Sequence, residues 1–457
     1  MGQKLYTVQS HFIFVPFLLL VAFFNGFAII FPDDADYLES ARNLTPTVWH
    51  PVFYGIFIKL TTIDFSLSLL VVPIAQAVII SFLLTETLVA LGVSKIIHLI
   101  LISAAVAFGT CVTLIVGTLQ PDIFTPILCL SIFLLCFLWS DLSAPKRIVI
   151  SVVFILAVTV HLSHIALTIG LVVCIWIIRL FTFGRGWLKS NAGLRLITSL
   201  LIISIITILC GNRLLSYHFY LSKTGHAFLI NRIAKDQILY KLLSEHCQES
   251  RYRLCDYKDF FLNYTSDDYL WQDNRPSPMV ALGGWKKTRE ESYQILADSI
   301  RYYPLDHVSA AMRQTSRQFL PLSVDGFGYP IPEKDGSYPA IEKLLGASYE
   351  RFQNSLQQQG RLIQIINSVS PFWVLSQSMS VLILAICIFR SFRSGRSLET
   401  IVVFSLFLML TLIMNAAVCG ILSGESSRYQ NRLIWLAALV PMCLIFQKYQ
   451  SGNNSDM

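Results

Sequence analysis

Long apolar runs recur along this chain, separated by short polar segments. Lipid offers no partner to an unpaired backbone group, so a segment that crosses it must be a helix of roughly 20 apolar residues. The pattern predicts ten spans, near residues 11–31, 66–91, 95–118, 121–140, 148–162, 164–182, 195–212, 371–390, 398–421 and 431–448. No polar loop separates 148–162 from 164–182, so one long tilted helix is the alternative there, and it would invert everything before it. The expected fold class is an all-α polytopic membrane protein. Three parts follow: a transmembrane module at 1–212 with a first outer loop at 32–65, a mainly helical extracytoplasmic domain at 213–370 between spans seven and eight, and C-terminal transmembrane helices with a short cytoplasmic tail at 371–457.

Within 213–370 the apolar period becomes that of amphipathic helices. His226–Glu245 carries Phe228, Leu229, Ile233, Leu239, Leu242 and Leu243 at helical spacing. Thr288-Arg-Glu-Glu291 reads as a capping box. Pro304 is placed to start a helix, and Pro339–Ser368 reads as a long helix leading down to the membrane. The stretch 247–286 reads as an ordered loop, and the Pro- and Gly-rich 321–338 as a second.

Composition sharpens this division. Hydrophobic residues make up 54% of the chain and charged residues 14%, against roughly 25% charged in ordinary globular domains. Residues 213–370 hold 36 of the 63 charged side chains. Elsewhere the basic residues set orientation. With the amino terminus inside, inner segments carry Lys4, Lys95, Lys146, Arg147, Arg179, Arg185, Lys189, Arg195, Arg390, Arg393, Arg396 and Lys448. The short outer loops carry Arg42, Lys59, Arg428 and Arg432. This predicts both termini in the cytoplasm and 213–370 in the periplasm of a bacterial inner membrane. The net charge of +7 is accounted for by inner-loop Lys and Arg and calls for no nucleic-acid partner. Eight of ten Cys lie in apolar runs; Cys247 and Cys255 lie outside them and are expected to form a disulfide in an oxidising compartment.

Ionisable groups near membrane depth are costly and default to functional candidates. They fall at one face. After the first span comes Phe31-Pro-Asp33-Asp34-Ala-Asp36-Tyr37. Pro32 suits the first position of a helix and acids suit its first turn, but three Asp in four residues exceed what a cap needs. His50 follows in Trp49-His50-Pro51. Asp122 follows Gln120 and Pro121 at the start of span four. His161 and His164 share a helix face, a spacing that suits a metal if a carboxylate joins them. Before the last span lie Glu425, Arg428, Tyr429 and Arg432, with the two Arg one turn apart and suited to phosphate.

The string Pro-Asp33-Asp34-Ala-Asp36-Tyr37-Leu-x-x-Ala-Arg-Asn-Leu with His50-Pro-x-x-Tyr54 resembles the first outer loop of GT-C glycosyltransferases, the superfamily of protein O-mannosyltransferases and aminoarabinose transferases. The resemblance implies a GT-C-like arrangement of helices and an inverting transferase. Such an enzyme takes a sugar from a polyprenyl-phosphate carrier and passes it to a glycan, lipid or protein acceptor outside the cytoplasm. It makes Asp33 the candidate base and Asp34 the second choice, with Arg428 and Tyr429 toward the carrier phosphate. Asp36, Tyr37, His50, Asp122, His161, His164, Glu425 and Arg432 are the further substrate-binding candidates. A divalent Mg or Mn is optional and its ligands are unassigned. Two other readings share the architecture: a flippase or transporter for lipid-linked oligosaccharides, and a non-enzymatic envelope assembly factor.

Overall fold

The computed structural model describes residues 8–181, 192–272, 275–320, 323–324, 326–394 and 399–455. Lys4, Arg185, Lys189 and Arg396, which helped to orient the chain, lie outside them. The described residues form helices and no strand; Ile29 and Thr118 make an isolated parallel bridge. Six helices are long and apolar enough to cross a membrane. This is a helical membrane protein.

The principal helices are numbered in chain order. They are α1 (Asp34–Asn43), α2 (Val52–Thr61), α3 (Val71–Ala90), α4 (Ile96–Gly109), α5 (Phe124–Phe137), α6 (Ala144–Thr159), α7 (Leu162–Phe181) and α8 (Ala192–Ser216). Then follow α9 (Gly225–Lys235), α10 (Ile238–Ser250), α11 (Gly284–Tyr302), α12 (Pro304–Phe319) and α13 (Tyr338–Leu345). The last are α14 (Arg361–Ser394), α15 (Thr400–Leu422), α16 (Ser427–Ile434) and α17 (Leu439–Ser455). The long enough apolar helices are α3, α7, α8, α14, α15 and the continuous stretch Ser427–Lys448. The ambiguous segment 148–182 is two helices, α6 and α7, which meet at Val160-His161.

The chain divides into two compact units. The first holds Met1–Leu221, Leu320–Met414 and Ser427–Met457. At its centre lies α5, apolar on every side and buried from Phe124 to Cys136, as a helix without a polar face must be. Glycine and asparagine, rather than hydropathy, decide the first apolar run. The expected span 11–31 is broken into short helical pieces that end at Asn25, because Gly26 takes the left-handed conformation (φ 77°) that stops a helix. The chain then runs extended through Ile29, whose N–H donates to Gly117 O and whose carbonyl accepts from Leu119 N, both at 2.9 Å. Gln357 satisfies the neighbouring backbone. Its Oε1 accepts from Ile30 N at 2.9 Å and its Nε2 donates to Ile30 O at 2.6 Å. A buried extended segment is viable only with such partners.

The second unit is Ser222–Phe319 with Asn415–Ser426, a different boundary from the expected 213–370. Residues 320–370 fold with the first unit. The core of the second unit gathers Ile230, Leu239, Leu242, Leu243, Phe261, Tyr264, Tyr269 and Ile295. Cys247 and Cys255 are joined, with an S–S distance of 2.01 Å. The expected helix His226–Glu245 is two, broken at Gln237, which has a φ of 62°. The expected capping box is not one: Thr288 lies inside α11 and its hydroxyl bonds back to Gly284 O at 3.2 Å. Glu291 instead accepts from Leu254 N at 2.9 Å and pairs with Arg253 at 2.8 Å. Pro304 does start α12. The expected long helix over 339–368 is also interrupted: α13 ends at Leu345, and the continuous helix, α14, begins only at Arg361 and runs through Pro371.

Candidate functional site

Three segments of the first unit bring charge to one place: the start of α1, the turn before α5, and α16. Asp33 sits at the N-cap of α1, where its side chain makes no capping bond. Its neighbour turns instead to the backbone ahead of the helix and to Gln120. Asp34 Oδ2 accepts from Phe31 N at 2.7 Å and its Oδ1 accepts from Gln120 Nε2 at 2.5 Å. Asp34 is fully enclosed, and burial, ahead of every other influence, raises its pKa well above the ordinary carboxylate range. Asp33 is 45% exposed. Of the two adjacent acids, therefore, one holds the loop and the other is presented.

Arg428 and Arg432 occupy successive turns of α16 and reach the same carboxylate. Arg428 Nε lies 3.3 Å from Asp122 Oδ2, and Arg432 Nη1 lies 3.3 Å from Asp122 Oδ1. Arg428 Nη2 also lies 3.7 Å from Asp33 Oδ2. Asp122 and Arg432 are almost wholly buried, at 3% and 2% side-chain exposure, and Arg428 is at 16%. Phe31 and Tyr429 flank the Arg428 guanidinium, with ring centroids 5.0 and 5.6 Å away. Asp122 Oδ2 and Arg428 Nε face each other without hydrogen-bond alignment, so each keeps directional capacity unused. Local sequence explains the arrangement. Pro121 opens a short 3-10 turn that sets Asp122 at the entrance to α5. The i, i+4 spacing puts both Arg on one face of α16.

A second layer supports these groups. Tyr37 and His50 share a hydrogen bond of 3.2 Å between the hydroxyl and Nδ1, with ring centroids 4.5 Å apart. Tyr54 donates to Gln76 Oε1 at 2.9 Å, and Gln76 Nε2 donates to Val116 O and Thr118 O. The loop after residue 320 contributes Phe327, edge-on to Phe31 at 5.8 Å, and Ser323, whose carbonyl accepts from Asn431 Nδ2 at 2.8 Å.

The other sequence candidates fall in different settings. Asp36 is partly buried beside Asp33 and Glu39, and burial first, then those charges, lift its pKa to about 6. His161 lies within electrostatic reach of Arg432, His50 and Arg428. His164 is fully buried with both ring nitrogens engaged, 2.6 Å from Ala157 O and 2.8 Å from Thr125 Oγ1. Glu425 belongs to the second unit and pairs there with Arg317 at 3.4 Å. Among the described residues no three His, Cys, Asp or Glu side chains are grouped to hold a metal ion. The optional Mg or Mn does not fit this donor set, because Asp122 turns one oxygen to Arg428 and the other to Arg432, and Asp33 Oδ2 lies 3.7 Å from Arg428.

Sequence reasoning passed over Gln76, Gln120 and Gln357. Each is a polar residue in or beside an apolar run whose side chain satisfies buried backbone or a buried acid. That position alone was the available signal.

Comparison with protein-family models, with curated proteins and with solved structures finds no match for this chain.

Proposed function

We propose that this chain is an inverting membrane glycosyltransferase that moves a sugar from a polyprenyl-phosphate carrier to an acceptor at the extracytoplasmic face. The observation that carries the reading is the exposed Asp33 carboxylate beside the paired guanidinium groups of Arg428 and Arg432. Transfer with inversion needs a base on one side of the anomeric carbon and stabilisation of a leaving phosphate on the other. In this reading Asp33 takes the proton of the acceptor hydroxyl as that oxygen bonds to the anomeric carbon. The bond from that carbon to the carrier phosphate breaks, and the phosphate leaves with the electron pair. Arg428 and Arg432 hold the charge that develops there. Asp122 keeps both guanidinium groups aimed and balances part of their charge until the phosphate arrives. Tyr37 and His50 orient the sugar. The acceptor is a glycan, a lipid or a protein bearing a nucleophilic hydroxyl or amine. A GT-C-like order of ten spans, with the second unit and the residues of the site outside the cytoplasm, accompanies this reading and rests on the resemblance of residues 32–54 and on the inner-loop basic residues.

The deciding experiment is native mass spectrometry of the purified wild type beside Arg428→Ala and Asp33→Ala, before and after adding a panel of polyprenyl phosphates and their glycosylated forms. The proposal expects a polyprenyl-phosphate adduct in the wild type and in Asp33→Ala, with loss in Arg428→Ala. Absence of any such adduct in the wild type would refute it and favour the assembly-factor reading.

A further inference from the structure

Helix α12 carries two faces with different partners. The buried face holds Ala310, Gln314 and Gln318, spaced four apart. Ala310 packs into the core of the unit and Gln314 Nε2 donates to Asp236 Oδ1 at 2.7 Å, while the end of the face at Gln314 and Gln318 lies against the end of α15, a helix long and apolar enough to cross the bilayer. The approach is close: a Cβ on Gly420 would stand 2.9 Å from the Gln314 carbonyl oxygen. Gln318 fastens the same end, donating to Ser426 O at 2.8 Å and accepting from Ser426 N at 2.9 Å. Arg317 adds an ion pair to Glu425 at 3.4 Å. These contacts hold the C-terminal half of α12 against the end of α15 and the loop that follows it.

The other face is apolar and bare. Leu305, Val308 and Met312, at intervals of three and four, are 80%, 56% and 68% exposed. Beside the Gly420 contact, Ile421 and Leu422 of α15 are exposed as well. Arg313 and Arg317 border the row with side-chain exposures of 43% and 59%. A single exposed Leu is ordinary, but a helical row of three facing water forgoes roughly 1.5–3 kcal/mol for each side chain it fails to bury. An apolar row edged by Arg is the signature of a helix lying in a membrane interface, where Arg stems extend along apolar surface and their heads reach phosphate.

We propose that α12 lies on the bilayer surface at which α15 ends, with Leu305, Val308 and Met312 seated at the boundary of headgroups and acyl chains. The occupant of this face is phospholipid, because Ile421 and Leu422 leave the end of α15, a helix apolar enough to cross a bilayer, exposed as well, and because Arg313 and Arg317 border the C-terminal part of the row while Asp306 at its start is paired with Lys241. The proposal is independent of the catalytic reading.

The test places the photoreactive residue p-benzoylphenylalanine singly at Leu305, Val308 and Met312 in the full chain, held in nanodiscs of phosphatidylethanolamine and phosphatidylglycerol. Glu249 of the same unit, whose side chain is 78% exposed, is the matched polar position. Irradiation is expected to add the mass of one phospholipid at each of the three positions and none at Glu249. Equal labelling at Glu249, absence of lipid adducts at all three, or cross-linking to a second copy of the chain would each overturn it.

Discussion

Asp33 and Arg428, from opposite ends of the chain, meet at 3.7 Å, and of the carboxylates turned to Arg428 only Asp33 is substantially open to solvent. An exposed pair at that distance adds about 0–1 kcal/mol to stability. Loss of a general base costs about 100- to 10,000-fold in rate. Asp33→Asn is therefore expected to unfold within a few degrees of wild type while sugar transfer in proteoliposomes falls by that factor. Full activity in a folded Asp33→Asn protein would remove Asp33 from the chemistry.

Asp122 behaves in the opposite way. It is buried and faces two guanidinium groups, one of them equally buried. Removing it leaves uncompensated cations in a dry site, a loss of about 3–5 kcal/mol. Asp122→Ala is expected to lower the thermal midpoint sharply, and the double variant Asp122→Ala with Arg432→Leu to lower it by less than the two single changes added together. Additive losses in that cycle would mean that the pair does not interact.

How much of this was legible beforehand depends on the range of the determining contact. Asp33, Asp122, Arg428 and Arg432 stood out because each is ionisable at the end of an apolar run, and helical spacing alone put the two Arg on one face. The division of labour between Asp33 and Asp34 was not legible. The two are adjacent and chemically alike, and Gln120, arriving from another segment, fixes which is enclosed. The break in the first apolar run was hidden for the same reason. Hydropathy reads residues 26–31 as span, while the partner that makes extended backbone tolerable there is Gln357. The wrong capping box shows the converse limit: Thr288 and Glu291 have the right spacing, but Gly284 and Trp285 extend the helix ahead of them.

The Cys247–Cys255 disulfide closes a short loop at the end of α10. The chain-entropy account assigns about 2–3 kcal/mol to a loop of that size. Cys247→Ser is expected to lower the thermal midpoint of the second unit, and a reductant to shift the wild type by the same amount without further effect on the variant. An equal shift of wild type and variant by reductant would show that the bond is not formed in solution.

Asp36 and His50 titrate with opposite consequences. Burial is the main cause in both: it lifts Asp36 to about 6, with Asp33 and Glu39 adding to the rise, and draws His50 down to about 4. In the unfolded chain the two groups titrate near about 3.9 and about 6.5. Between those limits the folded chain holds more protons at Asp36 than the unfolded chain does, so stability from this group is fully present at low pH and is lost as pH rises toward 6. At His50 the unfolded chain holds more protons, so its contribution grows as pH rises from 4. The two slopes oppose each other in wild type. Relative to wild type, Asp36→Asn should shift the slope of stability against pH upward across this window, and His50→Gln should shift it downward, each by at most about 1.4 kcal/mol per pH unit. Thermal midpoints of both variants through that window measure it directly. Changes of the same sign from the wild-type slope in the two variants would mean that one of these groups is not held in the protonation state its burial imposes.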